Sequence, residues 1–420
     1  MTVTFGRYTD AFKPKNKVDK WTECDKLFED KKYFDSYKSF FEYLLDESTK
    51  NVEYTQNGES IDFILRQGSK RVHGKIFDNK VTAEAVLAEF EKTGIAFMRR
   101  LMEMNYTLFY SRFAITDNKV CIKFDSSVID GSPRKLYYAF KELATRADKQ
   151  DDLLTSDFPL LKSAERYIEP LNTAEAEIKY KYFQKWISEA MQNITALKED
   201  KFSGGVSYIL LDLLYKIDYL ILPDGKILNE MEKLSWQYFE RNNKPFEEKN
   251  RVMKEGFQKI LETPKEKVIQ DLYQTVSTFG IAPPTGHVTV VDTFNNNLGN
   301  VKWYLENNHE DIALLIYEYT AGFCLFSYGL PKPTIALFDI VFNIMNQDYY
   351  SEMGRTEKYY DAATKKLDET AIKNRIDVII KEGKELYPEL AVKPENLKFD
   401  TLPNFLKTYF TEIQNLNYTT

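Results

Sequence analysis

An α+β domain followed by an all-helical domain is the fold class that the sequence predicts. Three observations carry it: side-chain alternation of period two in residues 51–76 and 107–124, helical periodicity in the segments around them, and near-continuous helical periodicity beyond residue 173. At 420 residues, 43% hydrophobic and 29% charged, the chain is long enough for two or three cores and has a globular composition.

The elements follow in order. Residues 1–26 read as a leader, in which Lys13, Lys15, Lys17 and Lys20, broken by Asp19, form a solvated and mobile cluster. From 27 to 46, Phe34, Tyr37, Phe41 and Leu44 fall on one helical face. The period then changes to two. Val52 and Tyr54 lead into Asn57-Gly58, a dipeptide that tolerates the positive φ of a tight hairpin. Ile61, Phe63 and Leu65 alternate with polar residues, and after Gln67-Gly68-Ser69 so do Val72, Gly74 and Ile76.

Thr82 then reads as the N-cap of a helix running to about Met104, with Leu87, Phe90, Gly94, Phe97, Met98 and Leu101 as its inward stripe. Residues 107–115 and 119–124 are β-rich runs joined by Asp117-Asn118. Ser132-Pro133 supplies a cap and first residue for a helix with stripe Leu136, Phe140, Leu143, Ala144 and Ala147. The domain over 27–155 is thus helix, three-stranded meander, helix, two-stranded hairpin, helix.

Residues 156–173, with Pro159 and Pro170 among apolar side chains, form a packed connector. The helical domain spans 174–420. Its helices are expected at 174–199, 204–222, 225–242, 246–262, 264–279, 287–307, 310–328, 332–348, 356–365, 368–386 and 402–416, and the break near 280–286 offers a division into two sub-bundles. Ile312–Pro331 carries a single charge, Glu318, and is nearly long enough to cross a bilayer; the mid-span carboxylate favours a buried core helix, paired with 332–346 as the central hairpin.

Several function classes are disfavoured. The net charge of −7 opposes attraction to nucleic acid and anionic membranes. Cys24, Cys121 and Cys324 fit neither a disulfide framework nor a zinc site, and the opening residues carry no secretory signal, so a cytoplasmic location without membrane insertion is expected. Gly204-Gly205 lacks the Lys-Ser/Thr of a phosphate loop, His309-Glu310 lacks the second histidine of a zinc protease, and no nucleophile elbow or local acid pair occurs; neither catalysis nor a cofactor is expected.

The run YSRFAITDNKVCIKFDSSVIDGSP, followed by LYYAFKELATRADKQDDLL, resembles the type III secretion chaperone-like fold of the Tir chaperone and YbjN relatives across roughly residues 28–155. The resemblance implies a non-enzymatic domain that binds polypeptides and forms a homodimer. Tyr110 with Arg112, and His73 with Phe77, are the candidate contacts on the sheet, and the acidic end of the 133–152 helix, with Asp151 and Asp152 just at it, would favour a partner with basic flanks.

A second pattern lies in DLLYKIDYLILPDG followed by KILNEMEKL. Asp224 opens a helix, Glu230 follows, and Asp212 and Asp218 lie on the helix before, so the hairpin can gather carboxylates for a divalent cation. Around 204–242 this resembles TerB-like helical domains, some of which bind metal. The leading expectation is a chaperone-like or adaptor protein; the rivals are a metal-binding TerB-like module in a stress-response or conflict system, and a structural subunit of a larger assembly.

Overall fold

In the computed structural model, residues 5–92, 94–197 and 199–419 are described, with backbone alone at 199–201. The chain divides into an α/β unit, Lys13–Pro170 with Tyr273–Ile281, and a helical unit, Met1–Phe12 with Leu171–Leu272 and Ala282–Thr420.

The α/β unit begins with α1 (Lys15–Glu29) and α2 (Tyr33–Leu44), followed by β1 (Val52–Asn57), β2 (Ser60–Gly68), β3 (Lys70–Phe77) and β4 (Lys80–Phe90). Then come α3 (Ile95–Asn105), β5 (Arg112–Thr116), β6 (Lys119–Ser127), α4 (Pro133–Asp157), β7 (Leu161–Ser163) and β8 (Glu169–Pro170). The antiparallel sheet runs in the order β1-β2-β3-β4-β6-β5, with β7 adding to β4. Its inner face packs on α4 and α2 through a ring cluster of Phe40, Phe41, Phe63, Phe124 and Phe140. Gly74 sits directly under the Phe63 ring, where a Cβ would come within 2.0 Å of it, so β3 needs glycine there.

The expected α+β order holds, with one correction. Residues 80–90 are a fourth meander strand, and only Ile95–Asn105 is helical. Thr82 caps nothing; it lies on β4, where Val81, Ala83, Ala85 and Leu87 alternate inward. The Ala/Glu-rich composition of this segment has helical propensity. A central position with ladders to β3 and β6 on its two sides overrides it.

The leader is also corrected. Residues 15–29 form a helix packed on α2, with Cys24 buried and the Trp21 ring against Phe40, Tyr43 and Tyr137. Three of the four clustered lysines are engaged: Lys13 lies 4.9 Å from the Tyr43 ring, Lys17 donates to the Glu42 carbonyl, and Lys20 bridges Glu23 and Glu42.

The helical unit contains α5 (Thr173–Ala196), α6 (Glu199–Lys216), a π-helical turn at Ile217–Ile221, α7 (Gly225–Phe239), α8 (Phe246–Leu261) and α9 (Lys265–Gln270). The chain then supplies β9 (Tyr273–Gln274) and β10 (Val276–Ser277) to the α/β unit before α10 (His287–Asn297), α11 (Val301–Glu306), α12 (Glu310–Ser327), α13 (Lys332–Met345) and α14 (Gln347–Glu352). A hairpin of β11 (Tyr360–Asp361) and β12 (Lys366–Leu367), then α15 (Glu369–Gly383) and α16 (Leu402–Gln414), complete it. Two expected helices are therefore replaced, one wholly and one in its second half, by turns and short strands. In 356–365 the Asp361 carboxylate accepts the Ala363 and Thr364 N–H groups and closes a turn. In 264–279 the helix stops at Gln270; β10 pairs with β2, and the buried Gln67 amide bonds the backbone of Thr278 and Phe279. Helices on both sides of 280–286 share one core, so no sub-bundle division forms.

The apolar stretch from Ile312 is the buried helix α12, which packs on α6, α10, α11, α13 and α16. Gly322 lets α12 approach α6, since a Cβ there would meet that of Tyr215 at 2.8 Å. Among the described residues no helix is long and apolar enough to cross a membrane.

Candidate functional site

His73 and Arg112 project from the outward face of the sheet, in one cross-strand row that reads Ile64, His73, Glu84, Lys123, Arg112. Phe77 lies on the same face of β3, half-buried. This face is charged rather than aromatic. Lys123 pairs with Glu84 at 2.7 Å, Lys119 with Glu89 at 3.3 Å and Lys75 with Asp62 at 3.7 Å, and Arg112 pairs with Asp125. The expected hydrophobic sheet surface is therefore replaced by a solvated lattice of ion pairs. The acidic end of α4 is not a free lure either. Asp148 accepts from Ser69, Asp151 is buried against Lys70, and Asp152 takes Arg166.

Tyr110 belongs to a different surface. Helix α3 is apolar on two sides: Phe97, Leu101 and Met104 face the core, while Ile95, Met98, Met102 and Tyr106 form an outward stripe at spacings of three, four and four. Ile95 is 75% exposed, Met102 73% and Tyr106 93%. The turn that follows adds Phe109, 91% exposed, and the partly exposed Tyr110.

That turn is held from below. The Glu142 carboxylate on α4 accepts the N–H groups of Phe109, Tyr110 and Ser111 at 2.8–2.9 Å and the Ser111 hydroxyl at 2.7 Å. Burial pushes this carboxyl up, but the donated bonds outweigh it and leave its pKa below the ordinary value. Next to it, Asn105 uses its amide as a strand mimic: Phe113 N–H donates to its Oδ1 at 2.6 Å and its Nδ2 donates to the Phe113 carbonyl at 3.0 Å. Asn105 thereby satisfies the Phe113 backbone on β5, the end strand of the sheet.

Glu142→Ala is expected to destabilise the α/β unit by about 1–3 kcal/mol, because three backbone donors lose their acceptor. In the native protein that stabilisation is present at neutral pH and is lost as pH falls through the depressed folded pKa. Hydrogen exchange at residues 109–111, accelerated in the variant, checks it.

The four carboxylates of the helical hairpin are divided. Asp218 and Asp224 share Arg7, whose Nε donates to Asp218 at 2.8 Å and Nη1 to Asp224 at 3.3 Å, while Nη2 donates to the Pro223 carbonyl at 2.6 Å. Glu230 pairs with Lys233 on the surface. Asp212 turns inward to Lys216 at 2.9 Å, and Lys216 also meets Glu318 of α12 at 3.3 Å. Thus the anticipated cluster does not assemble, and among the described residues no three acidic, His or Cys side chains converge as metal ligands. The position expected for a cation between Asp218 and Asp224 is taken by a guanidinium, supplied by a residue too distant in sequence to be noticed.

The buried set of Asp212, Lys216 and Glu318 was missed in part. Its sequence signals were Glu318, the lone charge in the apolar run from Ile312, and the helical spacing of Asp212 and Lys216. Elsewhere, His287 bonds the Gln414 carbonyl and His309 packs against Phe202 and Tyr304. Burial pushes the Cys24 and Cys121 thiols up to about 12, which keeps them protonated. No family model matches the chain, and a search of curated proteins found no match to it.

Proposed function

We propose that the α/β unit is a polypeptide-docking module, in a non-catalytic adaptor or chaperone-like protein, and that the partner lies on the outward stripe of α3 and the adjoining aromatic turn. The carrying observation is the size and order of this surface. Six side chains, each offering up to the order of 100–200 Å², amount to several hundred Å², which stands at the upper end of what monomers leave exposed and approaches the ~800 Å² per partner of a standard interface.

Its composition supports the same reading. Met98 and Met102 are unbranched and polarizable and can repack around different anchors. Phe109 and Tyr110 are stiff, and the Glu142 bonds hold their backbone in place before any partner arrives. With its side chains at helical spacing and the Phe113 backbone on β5 already taken by Asn105, the stripe fits an amphipathic helix laid across it better than strand addition.

The test is a peptide-display selection on the full chain, with counter-selection on the Ile95→Asp/Met102→Asp double variant. Recovered peptides are expected to carry apolar anchors at helical spacing. Losing two buried contacts of ~1.5 kcal/mol each lowers affinity by about a hundred-fold. Stability is expected to change by no more than ~0.5 kcal/mol per site, because both residues are exposed. Peptides that bind both proteins equally would remove this surface from the account.

A further inference from the structure

The contact between α6 and α12 contains more buried negative charge than it can balance. Asp212 and Glu318 are each 2% exposed, and among the described residues the one cation between them is Lys216, whose Nζ lies 2.9 Å from Asp212 Oδ2 and 3.3 Å from Glu318 Oε2. Glu318 Oε1 accepts from the Asn346 amide. Asp212 Oδ1 is buried and has no hydrogen-bond donor among the described residues. The groups facing the set are accounted for by element: Lys216 on the same helix as Asp212, Glu318 on α12, the neutral Asn346 between α13 and α14, and the Trp186 ring of α5, 5.8 Å from Lys216 Nζ.

With every group ionised, the set has one uncompensated negative charge in a low-dielectric core. A buried carboxylate in that position is neutralised more cheaply by a proton than by leaving it charged. The vacant lone pairs of Asp212 Oδ1, on the carboxyl that faces Glu318, are where a proton can sit.

We propose that Asp212 and Glu318 hold one exchangeable proton between them in the folded protein, so that the α6–α12 contact is a proton-binding site. Its ligand is the proton itself, released to solvent when the site ionises. Burial, then the facing Glu318, push the Asp212 carboxyl up to about 8, with Lys216 opposing them. Occupancy therefore changes across the ordinary range of cellular pH.

The site has a structural neighbour that would register the change. Lys216 is the last residue of α6, and the π-helical turn that follows it holds Gly6 and Arg7: Gly6 N–H donates to the Tyr219 carbonyl at 2.9 Å, and Arg7 donates to Asp218. Such π-helical insertions weaken the regular ladder and recur where helices respond to a ligand. Ionisation leaves an uncompensated buried charge against Lys216, the residue directly before that turn.

The sign follows from linkage. The folded state keeps a proton that the unfolded chain gives up near pH 4, so the stabilisation is complete below that value and is lost as pH rises through about 8. The denaturant midpoint of the wild-type chain is expected to fall between about pH 6 and pH 9. In Asp212→Asn and, separately, Glu318→Gln, one carboxylate remains against one ammonium and the fall should be absent. Calorimetric unfolding near neutral pH, in buffers of different ionisation enthalpy, should count one more proton released from wild type than from either variant; it also serves if one variant folds poorly. A wild-type midpoint that is flat over this range, variants that retain the full slope, or a midpoint that follows sodium concentration at fixed pH would each overturn the proposal.

Discussion

Lys216→Met is expected to lower the stability of the helical unit by about 3–5 kcal/mol at pH 8, the cost of leaving buried carboxylates without their partner. In a unit of this size each kcal/mol moves the midpoint by ~2–4 °C, so the melting temperature should drop by roughly 10 °C. Methionine preserves the stem and most of the packing against Trp186, which isolates the loss of charge. The deficit should shrink at pH 5, where the Asp212 carboxyl, raised by burial, carries a proton in the folded state. Denaturant unfolding at the two pH values reads both effects. An equal loss at both would mean that the variant fails through packing instead.

Arg7→Met should cost about 3 kcal/mol by the same physics acting at a second place. The guanidinium satisfies Asp218, Asp224 and the Pro223 carbonyl together, and the neighbouring Phe5 ring packs between Tyr349 and Tyr350. Burial raises the Asp218 carboxyl and Arg7 only partly reverses it. Without Arg7 that pKa rises further, so the destabilisation is expected to be largest above neutral pH and smaller in acid. Chemical denaturation across pH measures it, and hydrogen exchange at residues 5–11 should rise with it.

These two arginine and lysine contacts also show what local sequence reading reaches and what it does not. The strands from Val52 to Ile76, the α4 cap at Ser132 and the long apolar α12 were legible because each is written in neighbouring residues: alternation, a Ser-Pro start, an uninterrupted hydrophobic run. β4 was misread as helix because its strand state is imposed by β3 and β6 on either side, which composition does not report. Strand β10 was invisible for a related reason, since its pairing with Gln67 and Gly68 spans more than two hundred residues.

The candidate surface shows the same limit. Tyr110 was identified, but it was assigned to a strand face with Arg112, and the face turned out to be an ion-pair lattice. Extending one helix back to Thr82 merged the outward residues Ile95 and Met102 with the flank of a false stripe. With the helix starting at Ile95, the presence of seven apolar side chains all round eleven residues and the following Tyr106 is a signal in itself: a surface helix needs only one apolar side. The acidic hairpin failed differently. Its carboxylates were correctly noticed, but Arg7 and Lys216 already answer them; Lys216 stands at helical spacing from Asp212, whereas Arg7 lies more than two hundred residues from Asp218 and cannot be assigned before the fold is known.

The docking surface on α3 is tested most directly by a photo-crosslinking side chain introduced at position 102 of the full chain in cells, compared with one at position 75 on the polar sheet face. The predicted result is a discrete polypeptide adduct from position 102, joined at a segment with apolar residues at helical spacing, abolished by Ile95→Asp and absent from position 75. Adducts that form at position 75 and not at 102, or that survive Ile95→Asp unchanged, would contradict the account.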